Sequence, residues 1–97
     1  MYMSKFTHQL NKVLTMLQSI EDEINLAGYS LTEKKVFFTI SQISEIQDSC
    51  NISDVINDSG LSRSTVYKAI KKLENNHMLN VEQSNLDKRE FFLRPLV

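Results

Sequence analysis

Apolar residues open the chain with a regular beat. Met3, Phe6, Leu10, Val13, Leu17, Ile20, Ile24, Ala27 and Leu31 follow one another by alternating steps of three and four. That spacing keeps one face of a helix apolar along its whole length, and it predicts a long first helix with a nearly straight seam. The positions between are largely polar apart from Leu14, Met16 and Leu26. Gly28 is the expected C-terminal stop. Ser30 and Glu33 have the spacing of a capping box, with Thr32 an alternative cap, so a second helix should start near residue 31. It carries Val36, Phe37, Ile40 and Ile43 on one side and fades near Gln47.

Ser53 and Asp54 can cap a short third helix that reaches Asp58. Gly60 then supplies a tight turn, and Ser62 can cap a fourth helix whose apolar stripe is Val66, Ala69, Ile70 and Leu73. After Asn75-Asn76-His77 the period changes from helical to alternating. Leu79 and Val81 lie two apart, as do Phe91 and Leu93, and Ser84-Asn85-Leu86-Asp87-Lys88 between them reads as the turn of a β-hairpin. The expected class is mostly α with a small β-hairpin (α+β). Residues 1–29 form an N-terminal helix and 30–97 a winged helix-turn-helix.

Composition narrows the classes of function. A chain of 97 residues with 41% apolar content makes one domain with a modest core. The single cysteine, Cys50, cannot form an internal disulfide, which fits a reducing compartment. The N-terminus lacks the apolar run of a signal peptide, and no stretch is long enough to span a bilayer. A cytoplasmic protein is expected. His8 and His77 with one cysteine do not make a metal site. Glu21-Asp22-Glu23 reads as a solvated helix face. A packed thiol is the expected reading of Cys50, against a redox sensor. There is no phosphate loop, nucleophile motif or dinucleotide fingerprint, so neither an enzyme nor a cofactor is expected.

The net charge of −1 conceals an uneven distribution. Residues 1–60 hold four lysines against eight acids, a balance of −4, whereas residues 61–97 hold seven Lys/Arg against four acids, a balance of +3. A basic C-terminal part can present a basic face to a polyanion. A short helix, a glycine turn and a capped second helix make a helix-turn-helix, whose second helix enters the major groove N-terminus first. Ile52, Val55, Ile56, Leu61, Val66, Ile70 and Leu73 would lock the two helices together. Ser62, Ser64 and Thr65 are small enough to approach phosphate and hydrogen-bond it at the positive helix end. Arg63 is forked and long enough to reach a guanine edge or a phosphate. Lys68, Lys71 and Lys72 would meet the backbone as point charges, and Tyr67 lies on the same outward part of the helix.

Joined to the hairpin, this pattern resembles the MarR family of bacterial transcription regulators. The stretch LENNHMLNVEQSNLDKREFFLRP, from Leu73 to Pro95, follows that family's run from the end of the recognition helix through the wing, including its Asp-x-Arg signature at Asp87-Lys88-Arg89. The upstream pattern around SGLSRSTV and the Leu31-Thr32 helix opening match as well, so the resemblance covers about residues 28–95. It implies that Arg89 enters the minor groove and that Asp87 helps to hold it, a plausible mechanism where a narrow groove concentrates negative potential. The chain departs from the family in two places. His77 stands where glycine is usual, and His tolerates the left-handed backbone better than most residues. The sequence also stops at Val97, short of the C-terminal helices that build the dimer and much of the ligand pocket in that family. A small-molecule effector is therefore a doubtful partner, and dimerisation falls to another surface.

The expectation is a homodimeric, sequence-specific regulator of double-stranded DNA from a bacterium, plasmid or phage, with recognition helix 62–76 in the major groove and wing 84–89 at the minor groove. The dimer surface would be the first helix, through Phe6, Leu10, Val13, Leu17, Ile20 and Ile24. That seam could instead fold back on its own domain. Two alternatives remain: a winged-helix interaction module, antagonist or adaptor, acting through the N-terminal helix, and a plasmid or phage partition or replication protein that binds DNA.

Overall fold

The computed structural model describes residues 4–97. Met3, the first position of the apolar seam, lies outside the described residues. Four helices and three short strands follow one another as α1 (Lys5–Glu23), α2 (Leu31–Ile46), β1 (Cys50–Asn51), α3 (Ile52–Ser59), α4 (Arg63–Asn75), β2 (Leu79–Gln83) and β3 (Phe91–Pro95). The sheet is antiparallel in the order β1-β3-β2. Val81 faces Leu93 and Gln83 faces Phe91 across the hairpin. The architecture is a winged helix-turn-helix behind a projecting N-terminal helix, and the molecule measures 59 × 24 × 24 Å.

One core unites every element except α1. Val36 and Ile40 of α2, Val55 of α3, Val66 and Leu73 of α4, Leu79 of β2 and Leu93 of β3 are at most 4% exposed. Ile56 and Leu61 pack against this core while keeping part of their surface in solvent. Burial of side chains of this size supplies about 1.5–3 kcal/mol each, which makes the helix-turn-helix and the wing one folding unit. Helix α1 buries none of its residues. Phe6, Leu10, Val13 and Ile20 are each more than half exposed, so this part of the seam has no cover among the described residues, whereas Ile24 at its end packs on the core.

The caps show where sequence reading was right and where it slipped. Ser30 and Glu33 form the expected capping box at the start of α2. Ser62 caps α4 by accepting from the Thr65 N–H. Helix α3, however, is capped by Asn51, not by Ser53 or Asp54. The Asn51 side chain accepts from the Asp54 N–H at 2.8 Å, and the Asp54 carboxylate accepts from the Asn51 N–H at 3.2 Å. Ser53 and Asp54 lie inside its first turn.

The stop of α1 is not Gly28 but Asn25, whose φ is +61°. The Leu26 N–H donates to Glu21 O and the Asn25 N–H to Asp22 O, so the helix ends in a Schellman motif. The residue that follows the left-handed position, Leu26, is fully buried. Helix α4 ends in the same way: His77 has φ +61°, Met78 N–H donates to Leu73 O, His77 N–H to Glu74 O, and Met78 is buried. The early stop of α1 cuts the seam short. Ile24 packs on the core, Ala27 lies beyond the turn, and Leu31 begins α2. Strand β1 was not expected at all. Two residues carry no readable period, and only its pairing with Phe92 and Leu93 of β3 defines it.

Candidate nucleic-acid interface

Helix α4 is presented by a turn that the sequence dictates closely. Gly60 adopts φ +71°, a left-handed conformation that side chains other than glycine seldom accept. The Leu61 N–H donates to Ser59 Oγ at 3.2 Å, and Ser62 then opens the helix. The Ser62 hydroxyl also donates to Thr65 Oγ1 at 2.8 Å and lies 3.4 Å from Ser64 Oγ. The three hydroxyls thus form a small cluster at the positive end of the helix.

With about 100° of rotation per residue, the outer face of α4 is the line Ser64, Lys68, Lys71 and Asn75. All four are exposed, and Lys68 and Lys71 make no ion pair among the described residues. Asn75 was not singled out from the sequence, although its i+4 spacing from Lys71 places it on this line. Arg63, Tyr67 and Glu74 occupy the flank toward the wing. Thr65 and Lys72 occupy the opposite flank, toward α2. Lys72 lies one turn beyond Lys68, but its ammonium is drawn to α2: its Nζ donates to Glu33 Oε1 at 3.1 Å and lies 5.0 Å from the centroid of the Tyr29 ring.

The wing is shaped by side chains that the sequence did not flag. Ser84 is 8% exposed, and its hydroxyl accepts from the Leu86 and Asp87 N–H groups at 3.1 and 3.2 Å. Glu90 N–H donates to Asp87 O, and Ser84 N–H donates to Glu90 O, so the loop closes on itself over residues 84–90. Its base is tied to the helix-turn-helix by Asn51, whose amide donates to Glu90 Oε1 at 2.9 Å. Asn51 thus caps α3 and anchors the wing. At the tip, Asp87 Oδ1 accepts from the Arg89 backbone N–H at 3.0 Å and from Arg89 Nε at 3.3 Å. The Arg89 side chain remains 93% exposed, so the aspartate aims it without burying it. Lys88 is exposed beside it.

These parts converge. A cleft of about 420 Å³ is lined by Arg63 and Tyr67 from α4, by Asp87, Arg89 and Glu90 from the wing, and by Asn51, Ile52, Ser53 and Phe91 beneath. A second groove beside it runs between Tyr67, Lys68 and Lys71 on one side and Val81 and Phe91 on the other. Cationic groups from two separate elements therefore border one concave surface. Of the positions named as DNA-contacting, Arg63, Tyr67, Lys68, Lys71, Asp87 and Arg89 line it, Ser62, Ser64, Thr65 and Lys88 lie outside its walls, and Lys72 is paired with Glu33 on α2.

The remaining candidates fall into place. Cys50 is fully buried, and its thiol is pushed up to about 11 by burial and by the negative charges of Asp54 and Asp58, the opposite of what a reactive thiolate requires. Glu21 departs from the expected solvated acidic face: its side chain is only 12% exposed and pairs with Lys34 at 2.9 Å. Among the described residues no cluster of His, Cys, Asp and Glu could hold a metal ion, and no helix is long and apolar enough to cross a membrane.

Residues 27–96 match the family model described as the sugar-specific transcriptional regulator TrmB. No curated protein matches the chain. Among solved structures, the fold is similar to that of BpsR from Bordetella bronchiseptica, a protein whose DNA binding is regulated by 6-hydroxynicotinic acid, with 18% identity and a TM-score of 0.59 over 98% of this chain and 67% of that one. A MarR protein from Peptoclostridium difficile is similar at 22% identity and TM-score 0.58, over 97% of this chain and 60% of that one. AbsC of Streptomyces coelicolor, a MarR family transcriptional regulator, is similar at 15% identity and TM-score 0.58, over 98% and 66%. The MarR resemblance read from the wing signature thus holds in the fold.

Proposed function

The chain belongs to the family described as the sugar-specific transcriptional regulator TrmB, and we propose that it is a sequence-specific regulator that binds double-stranded DNA as a homodimer in the bacterial cytoplasm. The convergence of Arg63 and Tyr67 with Asp87 and Arg89 around one cleft carries this reading. Helix α4 enters the major groove by its N-terminus. Arg63 reads a base edge there, Tyr67 packs alongside, and Ser62, Ser64 and Thr65 meet phosphate. Lys68 and Lys71 neutralise the backbone on either side. Arg89, aimed by Asp87, enters the adjacent minor groove, and Lys88 meets its phosphates. Lys72, held by Glu33, is left out of this surface.

Dimerisation follows from α1, because an exposed stripe of Phe6, Leu10, Val13 and Ile20 on a projecting helix is costly to leave in water. A second copy covers it with the same stripe, extended by the half-buried Leu17 beside it, while Ile24 stays with its own core. The exposed stripe also favours a second reading, in which α1 docks a different protein and the chain acts as an adaptor. Selection of bound duplexes from a random DNA pool separates the two. An enriched palindrome supports the dimeric regulator; a pool without enrichment leaves the adaptor.

A further inference from the structure

The first turn of α2 makes two ion pairs in opposite directions. Lys34 reaches back to α1, where its Nζ lies 2.9 Å from Glu21 Oε2 with both side chains largely covered. Its neighbour Glu33 reaches to the end of the recognition helix. One oxygen, Oε1, accepts from Lys72 Nζ at 3.1 Å and from the Ser30 N–H at 2.8 Å. Tyr29 stands beside them: its hydroxyl accepts from the Asn76 amide at 2.7 Å, and its ring underlies the Lys72 ammonium. Part-exposed pairs of this kind add little to stability. Their arrangement, however, ties one end of α1 and one end of α4 to a single helical turn.

We propose that this junction fixes the angle between α1 and the recognition helix, and so sets which spacing between half-sites the protein accepts. Tyr29 and Glu33 are its positioning residues. The proposal rests on the dimer formed through α1. The geometry makes the leverage large. A helix of 19 residues is about 28 Å long, so a tilt of about 5° at the junction moves its far end by about 2.5 Å. That shift is comparable with the roughly 3.4 Å rise of one base pair. Two recognition helices must sit roughly 34–36 Å apart to read successive turns, so an error of that size is felt.

The test compares wild type with Glu33→Gln, Tyr29→Phe and the double variant. Glutamine still completes a capping box, and phenylalanine keeps the ring. Each protein is titrated with duplexes carrying two copies of the selected half-site at the best spacing, at one base pair more and at one base pair fewer, and with a single half-site. Single-site affinity should stay within about twofold, while discrimination between spacings falls by about threefold in the double variant. Discrimination equal to wild type overturns the junction. So does a parallel fall on every duplex including the single half-site, which is what mere support of the fold would give. Sedimentation of the wild type distinguishes the underlying reading: a monomer without spacing preference removes the dimer and the junction together, whereas a dimer with unaltered variants removes the junction alone.

Discussion

Helices α1 and α4 start alike. Each is amphipathic and capped by a serine, yet α4 buries Val66, Ala69, Ile70 and Leu73 while the longer α1 buries nothing. Amphipathic spacing states that a face requires a cover; it does not say whose. The four apolar residues of α4 meet α2, α3 and the sheet within the same chain. The stripe of α1 has no such cover among the described residues, and at its end the left-handed Asn25 and the buried Leu26 turn the chain into the core. One helix is therefore anchored and can display charge on its outer face. The other offers its apolar face to whatever comes next.

The contrast is broken most directly by injuring each helix in turn. Leu73→Ala removes a fully buried side chain, and a loss of about 2–5 kcal/mol would leave a small domain largely unfolded in thermal or urea melts. Leu10→Glu with Leu17→Glu should leave the winged domain folded, since neither position belongs to its core. It should convert the dimer to a monomer in sedimentation and weaken operator binding about a hundredfold or more, because linked half-sites lose their mutual reinforcement. A double variant that unfolds instead would show that α1 has a cover within its own chain after all.

Next in size come the two arginines that border the shared cleft. Arg63→Ala should cost about 1–3 kcal/mol on the selected duplex and relax preference at one base position. Arg89→Ala should weaken binding most where the flank is A·T-rich, since that is where a narrow minor groove rewards the cation. Wild-type affinity in both variants would remove the cleft shared by α4 and the wing from the DNA interface.

The lysines sharpen the comparison within α4 itself. Lys68→Ala and Lys71→Ala should each reduce the slope of log K against log salt by roughly 0.9. Lys72→Ala should leave the slope near wild type, because Lys72 faces Glu33 on the other flank of the helix. Equal reductions from all three would mean that the Glu33 pair opens on DNA.

Most of the winged domain was legible because its signals are local. Ser30 with Glu33, Gly60 and Ser62 each act within three or four residues, and all three sit where spacing put them. The errors share one cause. Asn25 takes the left-handed position that Gly28 was expected to fill, since Asn also tolerates that conformation and tertiary burial of Leu26 decides between them. Asn51 displaces Ser53 and Asp54 as a cap because it is also held by Glu90, 39 residues away. Lys72 and Glu33 are likewise 39 apart, and Glu21 and Lys34 face each other across a turn. No window along the sequence contains such pairs. The arginine and aspartate of the wing were found because they lie two residues apart. Ser84, which shapes their loop, was passed over as an ordinary turn residue.

The smallest expected effect concerns Glu33 and acid. Its carboxyl is held below the ordinary glutamate value, first by the hydrogen bond from the Ser30 backbone and next by the one from Lys72. A group whose pKa is lowered by folding stabilises the fold at pH above its unfolded value and loses that contribution as pH falls through the folded one. Stability of the wild type should therefore decline as pH drops below the normal glutamate range, with Glu33 among the groups responsible. Glu33→Gln cannot titrate, so its decline should be slightly shallower, while its stability near neutrality should be slightly lower. Lys72→Met removes the second cause and keeps the first, so its slope should lie between the two. Urea melts from pH 3 to pH 7 on the three proteins measure this directly. If Lys72→Met matches Glu33→Gln, the Ser30 hydrogen bond contributes nothing to the lowering. If it matches wild type, the pair between α2 and the recognition helix is too weak in solution to hold the charge.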